Sequence, residues 1–513
     1  MTRRGWVIVV LVAWGTSLGW LVKRVFFLTT AARLAEAARS IAPGTVYYRL
    51  VVGGQQVGFA SFTIDTSGSA IRVEDLLILD VPALGVLHRT TARSRATLSR
   101  ALRLEEVDVK FDGDIGRFTA RGVVNGDTLL SVQLMSGRDT QVTLVPLTRP
   151  VVLPTLLPLR LAFGGELRPG KTYTSRVFDP LLLVERELTL TGAAESTLVV
   201  ADSADYDSTV MAWVPVRFDT VRAFRIDMKA GAGGMRGSTW VDAQGHIIRT
   251  TNPVGFTIER SAFEIAYENF RRRDKVRVAR ASASPGPGDV VATTAIAAGG
   301  ELPRDTLAEL RVRLTGADLR GLALTAGRQR LVGDTLIVRR DSGAALVARY
   351  QLPARDTTLR AFLNPEPLIQ SDDARIRGRA LAVTRRERNP ARAAELLVRW
   401  VAANVADQVT VSMPTAARAL AGRRGDCNEH AVLYVALARA VGLPARTVAG
   451  LAHVNGHFYY HAWAEVYLGD WVAVDPTFDQ FPADAAHLRF STGGLARQAE
   501  LVRLIGRLKF EAL

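Results

Sequence analysis

The chain has 513 residues, of which 48% are hydrophobic and 22% charged, and its formal net charge at pH 7 is +15. This length exceeds one ordinary hydrophobic core, so we expect several domains. The single cysteine excludes an internal disulfide framework. Arginines supply most of the positive charge and are scattered along the chain without a basic–aromatic stripe, so we predict no nucleic-acid partner.

An uncharged run near the N-terminus predicts a membrane anchor. Residues 5–22 carry no charged side chain and have about the minimum length for a membrane-spanning helix. A cleaved signal peptide is the alternative, but Lys23 and Arg24 stand where a cleavage site with small residues would be. We predict a single-pass helix within residues 1–30, with the body on the periplasmic or extracytoplasmic side. Basic residues flank both ends, so the charge pattern does not itself support this orientation.

Residues 31–278 predict a large antiparallel all-β domain. Runs rich in β-branched and aromatic residues alternate with turn signals, and helical periodicity is scarce. Gly53-Gly54 and Asn125-Gly126 are typical of β-hairpin turns. We expect a curved sheet or half-open barrel, which could bind an apolar ligand or act as a spacer.

The composition then changes twice. Residues 279–292 form a linker rich in Pro, Gly, Ser and Ala, and residues 293–369 predict a small β-rich module. Residues 370–513 predict an α+β domain, in which helices come first and an antiparallel sheet follows. Asn389 is a suitable N-cap with Pro390 at the first helical position.

The only cysteine, Cys427, follows a Gly-Asp pair at the predicted start of a second helix, which runs to Val441. Downstream, His461 lies on a predicted strand and Asp475 ends the next one. Adjacent antiparallel strands can place this histidine beside this aspartate. We expect the helix start and a neighbouring imidazolium to lower the pKa of the thiol, while the carboxylate orients the imidazole. The backbone N–H of Cys427 can also donate to an oxyanion.

The motifs "GDCNEHA" and "HAWAEVYLGDWVAVDPT" resemble the core of the transglutaminase-like superfamily, and the resemblance extends over roughly residues 370–490. It implies a papain-like α+β fold and a thioester acyl-enzyme. Cys427 would be the nucleophile, His461 the base and Asp475 the orienting carboxylate. Members of this superfamily include protein cross-linkers, cysteine proteases and amide hydrolases.

The superfamily often adds a side-chain donor to the oxyanion hole, from a residue upstream of the cysteine. The sequence does not place this donor: Trp400 belongs to the apolar face of a predicted helix, and Gln408 is a guess. Trp463 and Trp471 are either core aromatics or part of a substrate groove for the acyl group, and we treat both as weak substrate-binding candidates.

The remaining polar residues near the site have structural interpretations. We expect His430 to be a surface or packing residue and Glu429 to pair with a basic neighbour. His453, His457 and His461 are spaced four apart and could hold a metal with Cys427. This alternative is disfavoured, because a hairpin turn interrupts the spacing. We predict no metal site and no cofactor.

The sequence therefore predicts a multidomain chain with an N-terminal transmembrane helix, a large antiparallel β domain, a small β-rich module and a C-terminal transglutaminase-like domain. We expect a membrane-anchored cysteine enzyme that acts on peptide or carboxamide bonds of a peptide or protein substrate. Hydrolysis is favoured over transfer to an amine. The alternative is a non-catalytic envelope-binding or scaffold protein that works through its β domain.

Overall fold

The computed structural model describes Leu34, residues 38–272 with short gaps, residues 294–408 except 299–301 and 304–305, residues 414–494, and residues 501 and 504–513. The predicted anchor within residues 1–30 and most of the predicted linker over 279–292 lie outside the described residues. Within the described part, no helix is long and apolar enough to cross a membrane.

The predicted β domain is one antiparallel sheet of fourteen strands. Neighbours along the sheet follow the order β8-β7-β6-β5-β4-β3-β2-β1-β14-β13-β12-β11-β10-β9, so two meanders meet where β1 pairs with β14. In chain order the strands are β1 Gly44–Val52, β2 Gln55–Asp65, β3 Ile71–Ala83, β4 Val86–Leu98, β5 Leu104–Gly113, β6 Gly116–Asn125, β7 Leu129–Ser136, β8 Asp139–Pro146, β9 Thr172–Asp179, β10 Val184–Asp207, β11 Ala212–Ala230, β12 Arg236–Asp242, β13 Ile247–Thr251 and β14 Phe256–Ser261.

The first predicted hairpins are confirmed, because β1 pairs with β2 and β6 pairs with β7 around the expected turns. Gly54 and Gly126 have φ angles of 77° and 59°, a left-handed conformation that glycine adopts without strain. Leu98, Leu130 and Phe118 belong to a buried core along one part of this sheet. Short helical segments in and around this domain are 3₁₀ turns at Ala38–Ser40 and Pro154–Leu156, helix α1 at Leu157–Phe163 and a π-helical turn at Glu264–Glu268.

The C-terminal part places helices before a second antiparallel sheet, as predicted. Its helices are α2 Ala374–Thr384, α3 Pro390–Asn404, α4 Ala416–Gly422 and α5 Cys427–Ala440, with 3₁₀ turns at Gly343–Leu346 and Thr357–Phe362. Its strands are β15 Ile296–Ala297, β16 Glu309–Thr315, β17 Gln329–Val332, β18 Thr335–Arg339, β19 Ala406–Asp407, β20 Arg424–Gly425, β21 Ala445–Val454, β22 His457–Tyr467, β23 Trp471–Val474, β24 His487–Thr492 and β25 Lys509–Ala512.

The predicted small module and the C-terminal domain share one packing unit. The sheet of the C-terminal domain runs β15-β22-β21-β24 with β23 on the free side of β22, and a second sheet runs β17-β18-β16-β25. Strand β15 of the module therefore pairs within the larger sheet, and β25 from the C-terminal domain pairs within the sheet of the module. Leu336, Phe458 and Phe490 lie in one buried core, so the two predicted units are continuous in their packing.

Helix α5 is the centre of the C-terminal domain and carries the cysteine at its first turn. The side chain of Asn389 caps α3 by accepting from Arg392 N, with Pro390 next, as predicted. Most of α5 is buried, because it packs against β22 on one side and against α2, α3 and α4 on others. A helix enclosed in this way holds its first residue at a fixed position relative to β22.

Candidate active site

The start of α5 is fixed by a reciprocal cap around Cys427. The Asp426 side chain accepts from the backbone N–H of Asn428 at 2.7 Å, and Glu429 Oε2 accepts from Asp426 N at 3.0 Å. This is the capping-box pattern. Gly425 leaves room for it, because a Cβ at this position would lie 2.3 Å from Glu429 Cβ. The structural role predicted for Glu429 is confirmed, although its hydrogen-bond partner is the helix cap.

His430 anchors the same turn to the end of α3. The side chain is buried, with Nδ1 2.8 Å from the Asp426 carbonyl oxygen and Nε2 3.1 Å from the Val405 carbonyl oxygen. The packing role predicted for His430 is therefore confirmed, and a surface position is excluded. This contact holds the loop before Cys427 against the segment that follows α3.

Gln408 lies beside the cysteine loop through main-chain pairing. Strand β19 pairs with β20, and the N–H of Gln408 donates to the Gly425 carbonyl oxygen at 2.9 Å. Its side chain is exposed at this position, and its predicted oxyanion role stays a prediction. Trp400 is a residue of α3, and its ring lies beneath the guanidinium groups of Arg379 and Arg423. The Cζ atoms of these two arginines are 5.4 and 5.8 Å from the ring centroid.

His461 and Asp475 meet as the strand spacing predicts. Strand β22 carries the histidine, and Asp475 follows β23, which pairs with β22. His461 Nε2 lies 2.7 Å from Asp475 Oδ2, and the carboxylate is fully buried. Asp475 Oδ1 accepts from the backbone N–H groups of Thr477 at 2.7 Å and Phe478 at 3.2 Å. The carboxylate therefore orients the imidazole and leaves Nδ1 of His461 available to another partner.

The same strand also contacts the thiol. The backbone N–H of Ala462, the residue after His461, donates to the sulfur of Cys427. Cys427 is partly exposed as a whole residue, whereas its sulfur is enclosed. The structure therefore joins His461 to Asp475 and places the Cys427 sulfur at the backbone of the next residue, while the triad roles of Cys427, His461 and Asp475 stay a prediction.

The expected lowering of the thiol pKa is wrong. Burial raises the pKa of the Cys427 thiol well above its ordinary value, and the charges of Asp426, Asp475 and Glu429 raise it further. The N–H of Ala462 acts in the opposite direction but does not compensate. Because the helix cap itself consists of carboxylates, the positive end of α5 is already offset before the thiol can use it. Cys427 is therefore a neutral thiol when His461 is neutral.

A second buried histidine completes the network, and sequence reasoning missed it. His487, the first residue of β24, places Nε2 2.9 Å from Asp475 Oδ2 and Nδ1 2.9 Å from Asp484 Oδ1. Burial alone would lower the pKa of His487, but the hydrogen bonds and charges of Asp475 and Asp484 raise it. The available signal was a histidine on a strand three residues after an aspartate, in a chain with seven histidines.

The two imidazoles determine the charge state of Asp475. Burial alone would raise the pKa of this carboxyl, but His461 and His487 together lower it far below its ordinary value. The ring of Phe478 stacks on His461, with centroids 4.6 Å apart and planes 5° from parallel. Asp475 is therefore a permanent carboxylate in a site enclosed by aromatic rings.

Ligand-type atoms of His461, Asp475 and His487 lie within 4.8 Å of one another, close enough to raise the question of a metal. Both imidazoles make hydrogen bonds of ordinary length to the same carboxylate oxygen, so we assign these residues to a hydrogen-bond network. The metal alternative from the sequence is wrong. His453 pairs with Phe458 across the hairpin, which places it on the opposite sheet face from His457 and His461.

The two tryptophans do not line a groove at the thiol. Trp463 is 1% exposed and packs beneath the site, with its ring centroid 5.3 Å from that of His487. Trp471 pairs with Tyr467, six residues along β22 from His461, which is a separation of roughly 20 Å. The substrate-binding role predicted for these residues therefore does not fit their positions.

Glu465, the acidic residue of the "HAWAE" motif, holds the sheet together. Its carboxylate binds Arg446 on β21 at 2.6 Å and Arg489 on β24 at 2.7 Å. All three side chains are largely buried, so this ion network ties β22 to β21 and β24, the two strands on one side of it. Gly450 permits their close approach, because a Cβ there would lie 1.9 Å from the Leu488 carbonyl oxygen.

Comparisons with known proteins agree with the motif. Residues 377–476 match the model of the transglutaminase-like superfamily. No curated protein matches the chain significantly. Among solved structures, the chain is similar to a protein named as a candidate cysteine protease from Cytophaga hutchinsonii, at 18% identity and a TM-score of 0.27 over 40% of this chain and 81% of that one.

Two further structures show similarity of the same order. The periplasmic domain of TgpA from Pseudomonas aeruginosa, bound to ethylmercury, matches at 18% identity and a TM-score of 0.24 over 37% of this chain and 84% of that one. A β-barrel-like protein of a domain family of unknown function from Brucella abortus matches at 12% identity and a TM-score of 0.31 over 43% and 94%. These levels establish no shared activity. The family match and the geometry of the site together identify the C-terminal part of the chain as a member of the transglutaminase-like superfamily.

Proposed function

We propose that the C-terminal domain is a cysteine enzyme that cleaves or transfers the acyl group of peptide or carboxamide bonds. The observation that carries the proposal is the hydrogen bond of 2.7 Å between His461 and the buried Asp475 carboxylate, next to a strand N–H that contacts the sulfur of Cys427. A cysteine that served only as core filler would not require an oriented imidazole beside it.

The raised thiol pKa favours proton transfer during the attack rather than a preformed ion pair. The Cys427 sulfur forms a bond to the carbonyl carbon while its proton moves to Nδ1 of His461. The carbonyl electron pair moves to oxygen, where the N–H of Cys427 is positioned to donate, and Gln408 is the proposed side-chain donor. Asp475 stabilises the imidazolium that forms.

The tetrahedral intermediate then collapses to a thioester. The carbon–nitrogen bond breaks, and His461 gives its proton to the leaving amine or ammonia. Water attacks the thioester in the hydrolytic reaction, with His461 again as base, and the carboxylic acid and free thiol are released. A primary amine in place of water gives a new amide. We propose hydrolysis as the main outcome.

The acyl-enzyme provides the direct test. The purified full-length protein would be mixed with peptides that contain glutamine or a C-terminal carboxamide, quenched in acid and analysed by mass spectrometry. We expect a hydroxylamine-sensitive acyl group on Cys427 in the wild type and none in Cys427→Ala. Product formed at equal rates by both proteins would contradict the assignment.

The fate of the acyl group separates the two reactions. Ammonia or amine release without incorporation of an added fluorescent amine supports hydrolysis, whereas incorporation without hydrolysis contradicts it. A wild-type thiol that forms no acyl-enzyme and titrates as in the His461→Ala variant would favour the non-catalytic role of the β domain.

We also propose that residues 5–22 anchor the protein in a membrane, with the body on the extracytoplasmic side. The support is the uncharged N-terminal run with its basic flanks. We expect the protein to remain in the membrane fraction at high pH. We also expect protease added to spheroplasts to digest the body of the protein. Release of the whole chain by alkaline extraction would contradict the anchor.

A further inference from the structure

His487 has a carboxylate at each of its two ring nitrogens. Nε2 lies 2.9 Å from Asp475 Oδ2 and Nδ1 lies 2.9 Å from Asp484 Oδ1, and the side chain is 2% exposed. A neutral imidazole has one N–H donor, so it would direct a lone pair at one of the two carboxylates. With both carboxylates ionised, only the doubly protonated ring satisfies both contacts.

We propose that His487 is a permanent imidazolium and a positioning residue that holds Asp475 against His461 and offsets the charge of this carboxylate at Cys427. This inference rests on the proposed function, because it assigns His487 a role in the proton transfer from Cys427. His487 does not contact the thiol or the substrate. It acts through Asp475 alone.

The shared oxygen makes the effect direct. His461 Nε2 and His487 Nε2 lie 2.7 and 2.9 Å from the same Oδ2 of Asp475. A fixed positive charge on one side of the carboxylate reduces the net negative charge of this buried network. It also offsets the negative potential that Asp475 imposes on the thiol. A permanently charged His487 therefore favours the thiolate form of Cys427.

The charges around His487 come from several elements, and a protonated His487 offsets one of the two carboxylates beside it. Asp484 also accepts from the N–H of Ala486 at 2.9 Å and from Gln480 Nε2 at 3.1 Å, so its carboxylate is held in place. The ring lies between this carboxylate and Asp475, and aromatic rings cover its remaining sides. The titratable or charged groups that face His487 or its partners are Asp475 after β23, Asp484 before β24, His461 on β22, Cys427 on α5 and Arg328 before β17. Arg328 donates to the Asp484 carbonyl oxygen and is paired with Asp341.

Removing the charge of His487 tests the proposal. The His487→Gln variant keeps a donor for Asp475 but removes the positive charge, so the buried pair of carboxylates gains one net negative charge. We expect the rate of Cys427 alkylation by iodoacetamide to fall about tenfold at pH 7, because the whole pH profile moves upward by about one unit. In Asp484→Asn/His487→Gln the original net charge returns, and the profile should move back toward that of the wild type.

The opposite outcome separates a structural role from an electrostatic one. Loss of packing alone would lower the rate at every pH without moving the profile, and the double variant would then be slower than His487→Gln. Either result would overturn the proposal. All variants carry one cysteine, so the alkylation signal reports Cys427 alone.

A direct measurement covers the case in which the variants do not fold. Full-length wild-type protein labelled with ¹⁵N-histidine is expected to show one imidazole with both nitrogens protonated at pH 8, buried from solvent exchange. A signal from a neutral or metal-bound His487 ring at this pH would overturn the inference. An alkylation profile that His461→Ala leaves unchanged would instead contradict the proposed function. The two failures are therefore distinguishable.

Discussion

Replacing Asp475 by asparagine removes the acceptor that both histidines use. The amide oxygen of the Asp475→Asn variant can still accept from the loop N–H groups of Thr477 and Phe478, so the local backbone keeps its partners. The amide NH₂ then replaces Oδ2 and faces two imidazole N–H groups. It cannot accept a hydrogen bond from either of them. Two hydrogen bonds to a charged group, at 2.7 and 2.9 Å, are lost together.

These contacts set the expected magnitude. A hydrogen bond to a charged group contributes about 1.5–3 kcal/mol, and removing one partner of a buried ion pair costs about 3–5 kcal/mol. We therefore expect Asp475→Asn to lower the free energy of unfolding by about 3–5 kcal/mol at pH 7. Where a substrate is established, the acylation rate should fall by roughly 10²–10⁴, since the base loses its orientation and its counter-charge.

The pH dependence gives the sign. The pKa of Asp475 is lowered in the folded protein, so its charge stabilises the fold above the pKa of an unfolded aspartate, about 4, and this contribution is lost as the pH falls further. The stability difference between wild type and Asp475→Asn should therefore be largest near neutral pH and shrink below about pH 4.

Urea unfolding from pH 3 to pH 8 measures this difference. Asp479→Asn is the matched control, because it makes the same change in the same loop at an exposed side chain paired with Arg399 at 2.9 Å. A surface pair contributes about 0–1 kcal/mol. Unfolding of the two variants at the same urea concentration would refute the reasoning, and so would an effect of Asp475→Asn that grows as the pH falls below about 4.

Three further substitutions test other parts of the site. Gly425→Ala should lower the unfolding free energy by about 1–3 kcal/mol, because its Cβ would overlap Glu429, whereas Gly378→Ala, in open space on α2, should raise it slightly in the same urea titration. Glu465→Gln should cost about 3–5 kcal/mol by leaving two buried arginines undercompensated, and unchanged thermal unfolding would contradict that role. Gln408→Ala should slow formation of the acyl-enzyme by roughly 10²–10³ without changing stability, and an unaltered acylation rate would remove it from the oxyanion site.

Local sequence signals predicted the parts of the fold that depend on neighbouring residues. The turns at Gly54 and Gly126 follow from conformations that glycine adopts without strain, and the start of α3 follows from Asn389 and Pro390. The joining of the small module to the C-terminal domain could not be predicted in this way. It depends on β16 pairing with β25, nearly 200 residues away, and on β15 pairing with β22.

The predicted triad and the residues behind it also differ in whether local sequence patterns reveal them. Cys427, His461 and Asp475 stand in motifs whose order and strand spacing predict their meeting. His487 is brought near Asp475 because β21 pairs with β22 on one edge and with β24 on the other. No local sequence pattern reveals this long-range pairing. Trp471 shows that closeness in sequence does not ensure closeness in space. It lies four residues before Asp475, but its pairing with Tyr467 places it roughly 20 Å from His461 along the sheet.

The direction of the thiol pKa was within reach of the sequence, and the physical reason decides how the site works. In "DCNE", Asp426 and Glu429 occupy the two positions of a capping box, so carboxylates already use the free N–H groups and the positive end of α5. A thiolate at Cys427 would be a third negative group at the same place. The helix start therefore holds Cys427 in place without ionising it. In the proposed mechanism ionisation depends on His461, and the buried charges of Asp475, His487 and Asp484 lie behind this residue.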